Sequence, residues 1–466
     1  MTPFRHHLQS VFLLGLPLAG SYLAQLSIGI TDTVMMGWYG VEELAALSLA
    51  TSYYFVLYLL GSGFAIAVMP MVAASIANGD RVQVRRVTRM GVWISALTGL
   101  AAIPLFWFSE PIFLALGQQP DLSLDMQTYL RIAGWSMPFF LIAMVFKSHL
   151  SALEHTQIVL WSTLAAALLN GVVNWVLIFG NLGAPELGLR GAAIASLGTN
   201  ALLFVFLAAY AALARSLRSY TILARFWRPD WEALGQVFRL GLPIGLTMLA
   251  ESGLFTASAF MMGWISEEAL AVHGIALQIT AATFMIHLGL SSAATVRAGY
   301  AWGQNDPVNL RKGALAALVL SLATVGVTVG VFLGIPDVLI GLFLDPEEPT
   351  RDALIATGVG LLAMAALFQL ADAMQVMALG FLRGVQDTKR PMIYAVVSYW
   401  GIGVPASYIL GFPMGLGGQG IWLGMAIGLS VAAITMMARF WRGPALSPLA
   451  FVPGIPPPDA KPGGDA

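Results

Sequence analysis

Apolar stretches long enough to cross a hydrocarbon core recur along this whole chain, and no other feature restricts its fold as tightly. Spanning roughly 30 Å of lipid takes about 20 helical residues. Segments of that kind fall near 8–36, 46–70, 88–109, 129–150, 158–180, 190–213, 234–262, 270–296, 314–334, 354–382, 391–412 and 418–440. Of 466 residues, 58% are hydrophobic and 10% charged, at a mean hydropathy of +0.79, where a soluble domain carries about 25% charged residues. Backbone groups find no water in lipid, so only helices and closed barrels span it. Barrel strands alternate apolar and polar residues over about ten positions, and these runs do not. The spacing therefore predicts an all-α integral membrane protein of twelve transmembrane helices. Cysteine is absent, which removes disulfides, thiol nucleophiles and thiolate metal sites. The first apolar run follows Arg5 as a signal peptide would, but it is too long for an h-region and has no A-x-A-type cleavage site. It is expected to stay as the first span.

Lysine and arginine predict the orientation. Even-numbered connections carry Arg81, Arg85, Arg86 and Arg89; Lys147; Arg215, Arg218, Arg225 and Arg228; Arg297, Arg311 and Lys312; and Arg383, Lys389 and Arg390. Odd-numbered ones carry acids instead: Glu42, Glu43, Asp121, Asp125, Glu267, Glu268, Asp345, Glu347 and Glu348. The positive-inside rule then puts both termini in the cytoplasm. A net charge of −1 conceals this asymmetry. The tail from 443 to 466 is rich in Pro and Gly and reads as disordered.

The chain repeats itself. Residue n aligned with n+226 pairs VFLLGLP at 11–17 with VFRLGLP at 237–243, and MMGW at 35–38 with MMGW at 261–264. Glu42 falls over Glu268, Leu44-Ala45 over Leu270-Ala271, and Asp80 over Asp306. The first span thus corresponds to the seventh, with the same topology in both halves. Parallel repeats of this kind are a transporter architecture. The organisation expected is an N-lobe at 1–213, a cytoplasmic linker at 214–233 and a C-lobe at 234–442, two six-helix lobes around a central cavity.

Three acids fall inside spans: Asp32 in the first, Glu251 in the seventh and Asp372 in the tenth. A charge at mid-bilayer costs about 2.5–3.5 kcal/mol on insertion scales and marks ion or proton pathways. No basic partner is evident within their own helices. Glu251 aligns with Gln25, and Asp32 with Ser258, so each of the two helices keeps two polar slots seven residues apart on one face.

At these residues the chain resembles the multidrug and toxic compound extrusion (MATE) transporters, in particular the bacterial NorM-like branch. The likeness runs from GLPLAGSYLAQL and TDTVMMG in the first span, through FRLGLPIGLTMLAES and GQND, to QLADAMQVMALGFLRGVQDTKRPM. The resemblance implies a twelve-helix, two-lobe exporter of the bacterial inner membrane. It would trade cations inward for organic cationic drugs outward, without a cofactor. It also implies that Asp32, Glu251 and Asp372 are the coupling and substrate acids, with Glu251 and Asp372 holding the metal ion if that ion is Na⁺. Sodium-coupled members carry a tyrosine four residues before the helix 10 aspartate, where this chain has Phe368; that departure tilts the expectation toward H⁺. Pro17 sits where proton-coupled relatives bend the first helix.

Other residues carry weaker expectations. Gln25, Asn174, Gln278, Phe368 and Pro17 are candidates to line the cavity, with His273 near Gln278. Asn170 and Asn200 read as interhelical hydrogen-bonding groups. Met35, Met36, Met261 and Met262 offer an adaptable apolar surface or ordinary packing. Trp38 and Trp264 read as interfacial anchors. The Arg81 to Arg89 cluster reads as a topology signal with no nucleic-acid role. The expected partners are organic cations, the coupling ion and the bilayer, with the chain acting as a monomer. Three alternatives stand beside efflux. A lipid-linked saccharide flippase would need basic residues in spans that hold only acids on this reading. An integral membrane enzyme lacks HExxH, GxGD and cysteine. A channel does not need two lobes with distinct acids.

Overall fold

The computed structural model describes residues 3–346, 349–443 and 446. Glu347 and Glu348, and all of the tail beyond 443 except residue 446, lie outside them. The described residues are helical: α1 (Phe4–Tyr39), α2 (Val41–Ala77), α3 (Arg81–Trp107), α4 (Ser109–Ala115), α5 (Pro120–Ala133), α6 (Ser136–Ala152), α7 (Thr156–Phe179), α8 (Leu189–Leu213), α9 (Trp231–Ile265), α10 (Glu267–Gly303), α11 (Pro307–Gly334), α12 (Pro336–Gly341), α13 (Arg351–Gly384), α14 (Lys389–Val396), α15 (Val404–Gly411) and α16 (Gly417–Arg442). A π-helical turn, Val397–Gly403, joins α14 to α15. Among the described residues eleven helical segments are long and apolar enough to cross a membrane. The pair α5/α6, bent by 47°, makes a twelfth.

The bend has a local cause. Pro138 has no N–H to offer the carbonyl of Gly134, which accepts instead from Met137 N at 3.1 Å. The π turn has a similar one: Pro405, within α15, has no N–H for Gly401, and the displaced bonding widens the helix at Tyr399.

The repeat is built into the helix starts. Asp80 caps α3 by accepting from Gln83 N at 2.8 Å, and Asp306 caps α11 by accepting from Asn309 N at 2.9 Å. The residue before each cap is left-handed, Gly79 at φ 72° and Asn305 at φ 53°, conformations that glycine and asparagine tolerate best.

Packing does not divide the chain at the expected linker. One compact unit is Gly20–Leu249; the other is Met1–Ala19 with Ala250–Ala466. Both divisions fall inside helices, α1 and α9. Close backbone contact accounts for it. In the first unit a Cβ on Gly63 of α2 would meet Gly241 O and Gly245 N of α9 at 2.4 Å. In the second, a Cβ on Gly289 of α10 would meet Ala19 N of α1 at 2.4 Å. Gly63 and Gly289 are equivalent in the 226-residue register. Only small residues let helices approach so closely in a membrane.

The linker is bound to α3 within its unit. Arg86 grips Asp230 with two bonds, at 2.6 and 3.1 Å, and reaches Glu232 at 2.7 Å. Arg85 donates to Thr221 Oγ1 at 2.8 Å, Arg89 to the carbonyl of Arg225 at 3.0 Å, and Trp93 to that of Phe226 at 3.0 Å. The arginines taken from sequence as a topology signal therefore also hold the connection in place.

Candidate functional site

Asp32 is carried by α1 to a buried position, 8% exposed. On α7, Asn170 and Asn174 stand four residues apart on one face, both fully buried. Asn174 Nδ2 donates to Asp32 Oδ1 at 2.5 Å and to Asn170 Oδ1 at 3.1 Å, while Ser196 Oγ of α8 donates to Asp32 Oδ2 at 3.3 Å. Tyr129 of α5 lies near Asp32 and Ser196. Among the described residues neutral donors alone hold this carboxyl, so the group can exchange a proton without breaking an ion pair. Asn174, expected to line a cavity, is instead sealed and holds Asp32 directly.

Glu251 and Asp372 come together in the other unit. Asp372 is 3% exposed and its Oδ1 has no hydrogen-bond partner among the described residues; its charge and that of Glu251 interact. Around them stand Tyr399, carried by the π turn and close enough to interact electrostatically with both acids, and Gln375, whose Nε2 donates to Tyr399 Oη at 2.6 Å. Gln375 Oε1 is buried without a partner among the described residues. Arg383, near the end of α13, acts on Glu251. Two carboxyls and one guanidinium meet here, with acceptor oxygens on Asp372 and Gln375 that lack hydrogen-bond partners among the described residues. Burial costs a polar oxygen about 1–3 kcal/mol when nothing bonds to it.

Several expectations change here. Phe368 is 2% exposed and packs edge-on to Phe255 and Trp422, at 5.9 and 5.4 Å between centroids, so it fills the core of its unit. Trp422 Nε1 donates to His273 Nδ1 at 3.0 Å, which makes His273 structural; Gln278 is exposed on α10. Pro17 is buried inside an unbroken α1, in the segment that packs with the second unit. Gln25 is half-buried and accepts from Lys147 Nζ at 3.1 Å. Lys147 is therefore a helix residue of α6 rather than a loop residue, and the spans do hold bases. Met36, Met261 and Met262 are buried packing, while Trp38 and Trp264 are exposed at helix ends. No cluster of three or more His, Asp or Glu side chains suited to a metal occurs among the described residues.

Sequence reasoning passed over Ser196, Tyr129, Gln375, Arg383 and Tyr399. Gln375 and Arg383 had a signal, since they follow Asp372 by three and eleven residues, about one and three turns, on its face. Tyr399 had none beyond the glycines and proline around it.

Two repeats of membrane-spanning helices, each enclosing its own acidic group, define a multi-pass membrane transporter rather than an enzyme. The MatE family model matches residues 17–176 and 243–409, one stretch in each repeat. The chain belongs to that family, as its motifs suggested. A Rhizobium meliloti protein carrying the name "probable multidrug resistance protein NorM" is 43% identical over 94% of this chain and 93% of its own. A protein of the same name from Agrobacterium fabrum is 42% identical over 93% of each. A solved structure described as a multidrug resistance MATE family transporter in the outward-facing conformation shares the fold, with a TM-score of 0.84 at 20% identity over 94% of this chain and 96% of that one. A MATE structure in complex with MaL6 does so at a TM-score of 0.85 and 20% identity, over 94% and 97%.

Proposed function

We propose that the protein is a secondary multidrug antiporter of the bacterial inner membrane, with both termini cytoplasmic, exporting organic cations while a coupling cation moves inward. The observation that carries this reading is the pair of unlike acidic groups, one in each unit. Asp32 sits among neutral donors, suited to protonation and release. Glu251 and Asp372 carry more negative charge than Arg383 neutralises, suited to holding a cation. The names of the NorM relatives support export of drugs.

Sodium is the coupling ion this second group favours. Na⁺ is a hard ion that takes oxygen ligands, as hard cations generally do, and the phenol that Phe368 lacks is supplied by Tyr399. Asp372 Oδ1 and Gln375 Oε1 add acceptors that have no hydrogen-bond partner among the described residues. The flippase alternative gains little from the bases in the spans, because Arg383 acts on Glu251 and Lys147 alone cannot clamp a diphosphate.

The experiment is export of a fluorescent organic cation from proteoliposomes with Na⁺ and H⁺ gradients imposed separately. Export driven by a Na⁺ gradient with a protonophore present is expected. Export driven only by a pH gradient would replace sodium with the proton, and none under either gradient would refute antiport.

A further inference from the structure

Lys147 belongs to neither acidic group. Its Nζ carries three donors and, among the described residues, one polar partner, Gln25 Oε1 at 3.1 Å; no acid there pairs with it. A charged residue within a span is costly and usually faces a polar path or a partner. Two unspent donors on an ammonium point to an anion. The acid that would otherwise neutralise it is replaced: Gln25 occupies in the first repeat the place that Glu251 holds in the second. The amide supplies a similar oxygen without the charge, and its Nε2 remains as a second donor.

The surroundings are aromatic and adaptable. Phe140, Met144 and Lys147 follow one another at helical spacing on a half-exposed face of α6, while Leu141, Ala143, Val145, Phe146 and Ser148 are buried. Tyr58 of α2 stacks on Phe140, with centroids 4.9 Å apart and planes at 11°. Its hydroxyl donates to Met144 Sδ at 3.5 Å. A flat aromatic surface with a polarizable sulfur thus ends on a cation. Along α1, Asp32 lies seven residues beyond Gln25, about 10 Å of helix rise and nearly on the same face.

We propose that Lys147 and Gln25 form a subsite for the carboxylate of an aromatic substrate. The Gly20–Leu249 unit then accepts zwitterions, with the carboxylate on Lys147 Nζ and the cationic end toward Asp32. The proposal rests on the export reading and adds to it a recognition element for anionic groups.

The test compares a carboxyl-bearing rhodamine with its ethyl ester, which differ in the anion and share the aromatic cation. Binding to purified protein in nanodiscs, read by fluorescence anisotropy, gives a preference for acid over ester. Lys147→Met is expected to lower that preference about tenfold, the worth of one charge-assisted hydrogen bond. Gln25→Glu, which gives Lys147 an internal carboxylate, is expected to lower it as well, and Lys147→Arg to keep it. Should Lys147→Met not fold, Gln25→Glu against Lys147→Arg carries the same comparison. A preference unchanged in Lys147→Met and Gln25→Glu, or absent from the wild type, overturns the subsite. So does a preference abolished by anionic phospholipid in the nanodisc, which would assign Lys147 to a lipid headgroup. Export of the ester from proteoliposomes tests the antiport reading by itself: its failure with the binding preference intact would refute antiport and leave the subsite standing.

Discussion

Asp32→Asn separates a protonation switch from a structural hydrogen-bonding group. The amide has the size of the carboxyl it replaces. Its oxygen can keep the bond from Asn174 Nδ2, and its NH₂ can turn to Ser196, whose hydroxyl can rotate to accept. Two charge-assisted bonds become neutral ones, a loss of about 1 kcal/mol each. That loss is offset because a charged group in a span itself costs about 2.5–3.5 kcal/mol. Stability should therefore change by no more than about 2 kcal/mol, a shift of only a few degrees in Tm for a chain this long. Export should collapse, by about 100-fold or more, because an amide has no proton to take up and release and each 1.4 kcal/mol of lost coupling is already tenfold. The assay is drug export from energised proteoliposomes alongside a thermal melt of the same preparation. Near wild-type export against a gradient would refute the switch. A Tm lowered by more than about 10 °C would show that the loss of export reflects folding instead.

Glu251→Gln and Asp372→Asn should each weaken export of monovalent organic cations, and the double variant should lose little more than the worse single, because groups that interact directly are non-additive; fully additive losses in a double-mutant cycle would mean separate roles. Tyr399→Phe should raise the Na⁺ concentration for half-maximal export about tenfold, since it removes one oxygen ligand and a charge-assisted contact, and unchanged sodium dependence would take Tyr399 out of the ion site. The Arg86 guanidinium beside Asp230 holds its carboxyl below the usual carboxylate range. The bridge therefore contributes above about pH 4 and is lost as pH falls through the lowered value. Asp230→Asn should speed proteolysis within 214–230 at neutral pH, and cleavage at the wild-type rate would show that the arginine clamp does not hold the linker.

Part of the site was legible because the bilayer makes certain residues expensive. Asp32, Glu251 and Asp372 are conspicuous in apolar runs, where each charge must be balanced by a use. The 226-residue register then tied Gln25 to Glu251, and the helix caps Asp80 and Asp306 obey it in the folded chain. Lys147 and Arg383 were assigned to connections because they lie near the ends of the apolar runs at 129–150 and 354–382, whereas both are helical, within α6 and α13. Phe368 was weighed for the oxygen it lacks, although its ring lies between Phe255 and Trp422 and has no access to an ion.

The sequence by itself determined the number of spans, the duplication and the three acids, because the length of an apolar run and the cost of a charge are properties of single segments in lipid. Only the tertiary structure decided who stands beside each acid. Asp32 takes its donors from residues 142 and 164 positions away, and Tyr399 reaches the C-terminal acids through a π turn that no periodicity announces. The division of α1 and of α9 between the two compact units was equally hidden. It depends on Gly63 meeting Gly241 and Gly245, and on Gly289 meeting Ala19, and in each sequence those residues are only small. Their meaning comes from the backbone brought against them, since close helix packing in a membrane is set by the facing surfaces of two segments and not by the composition of either.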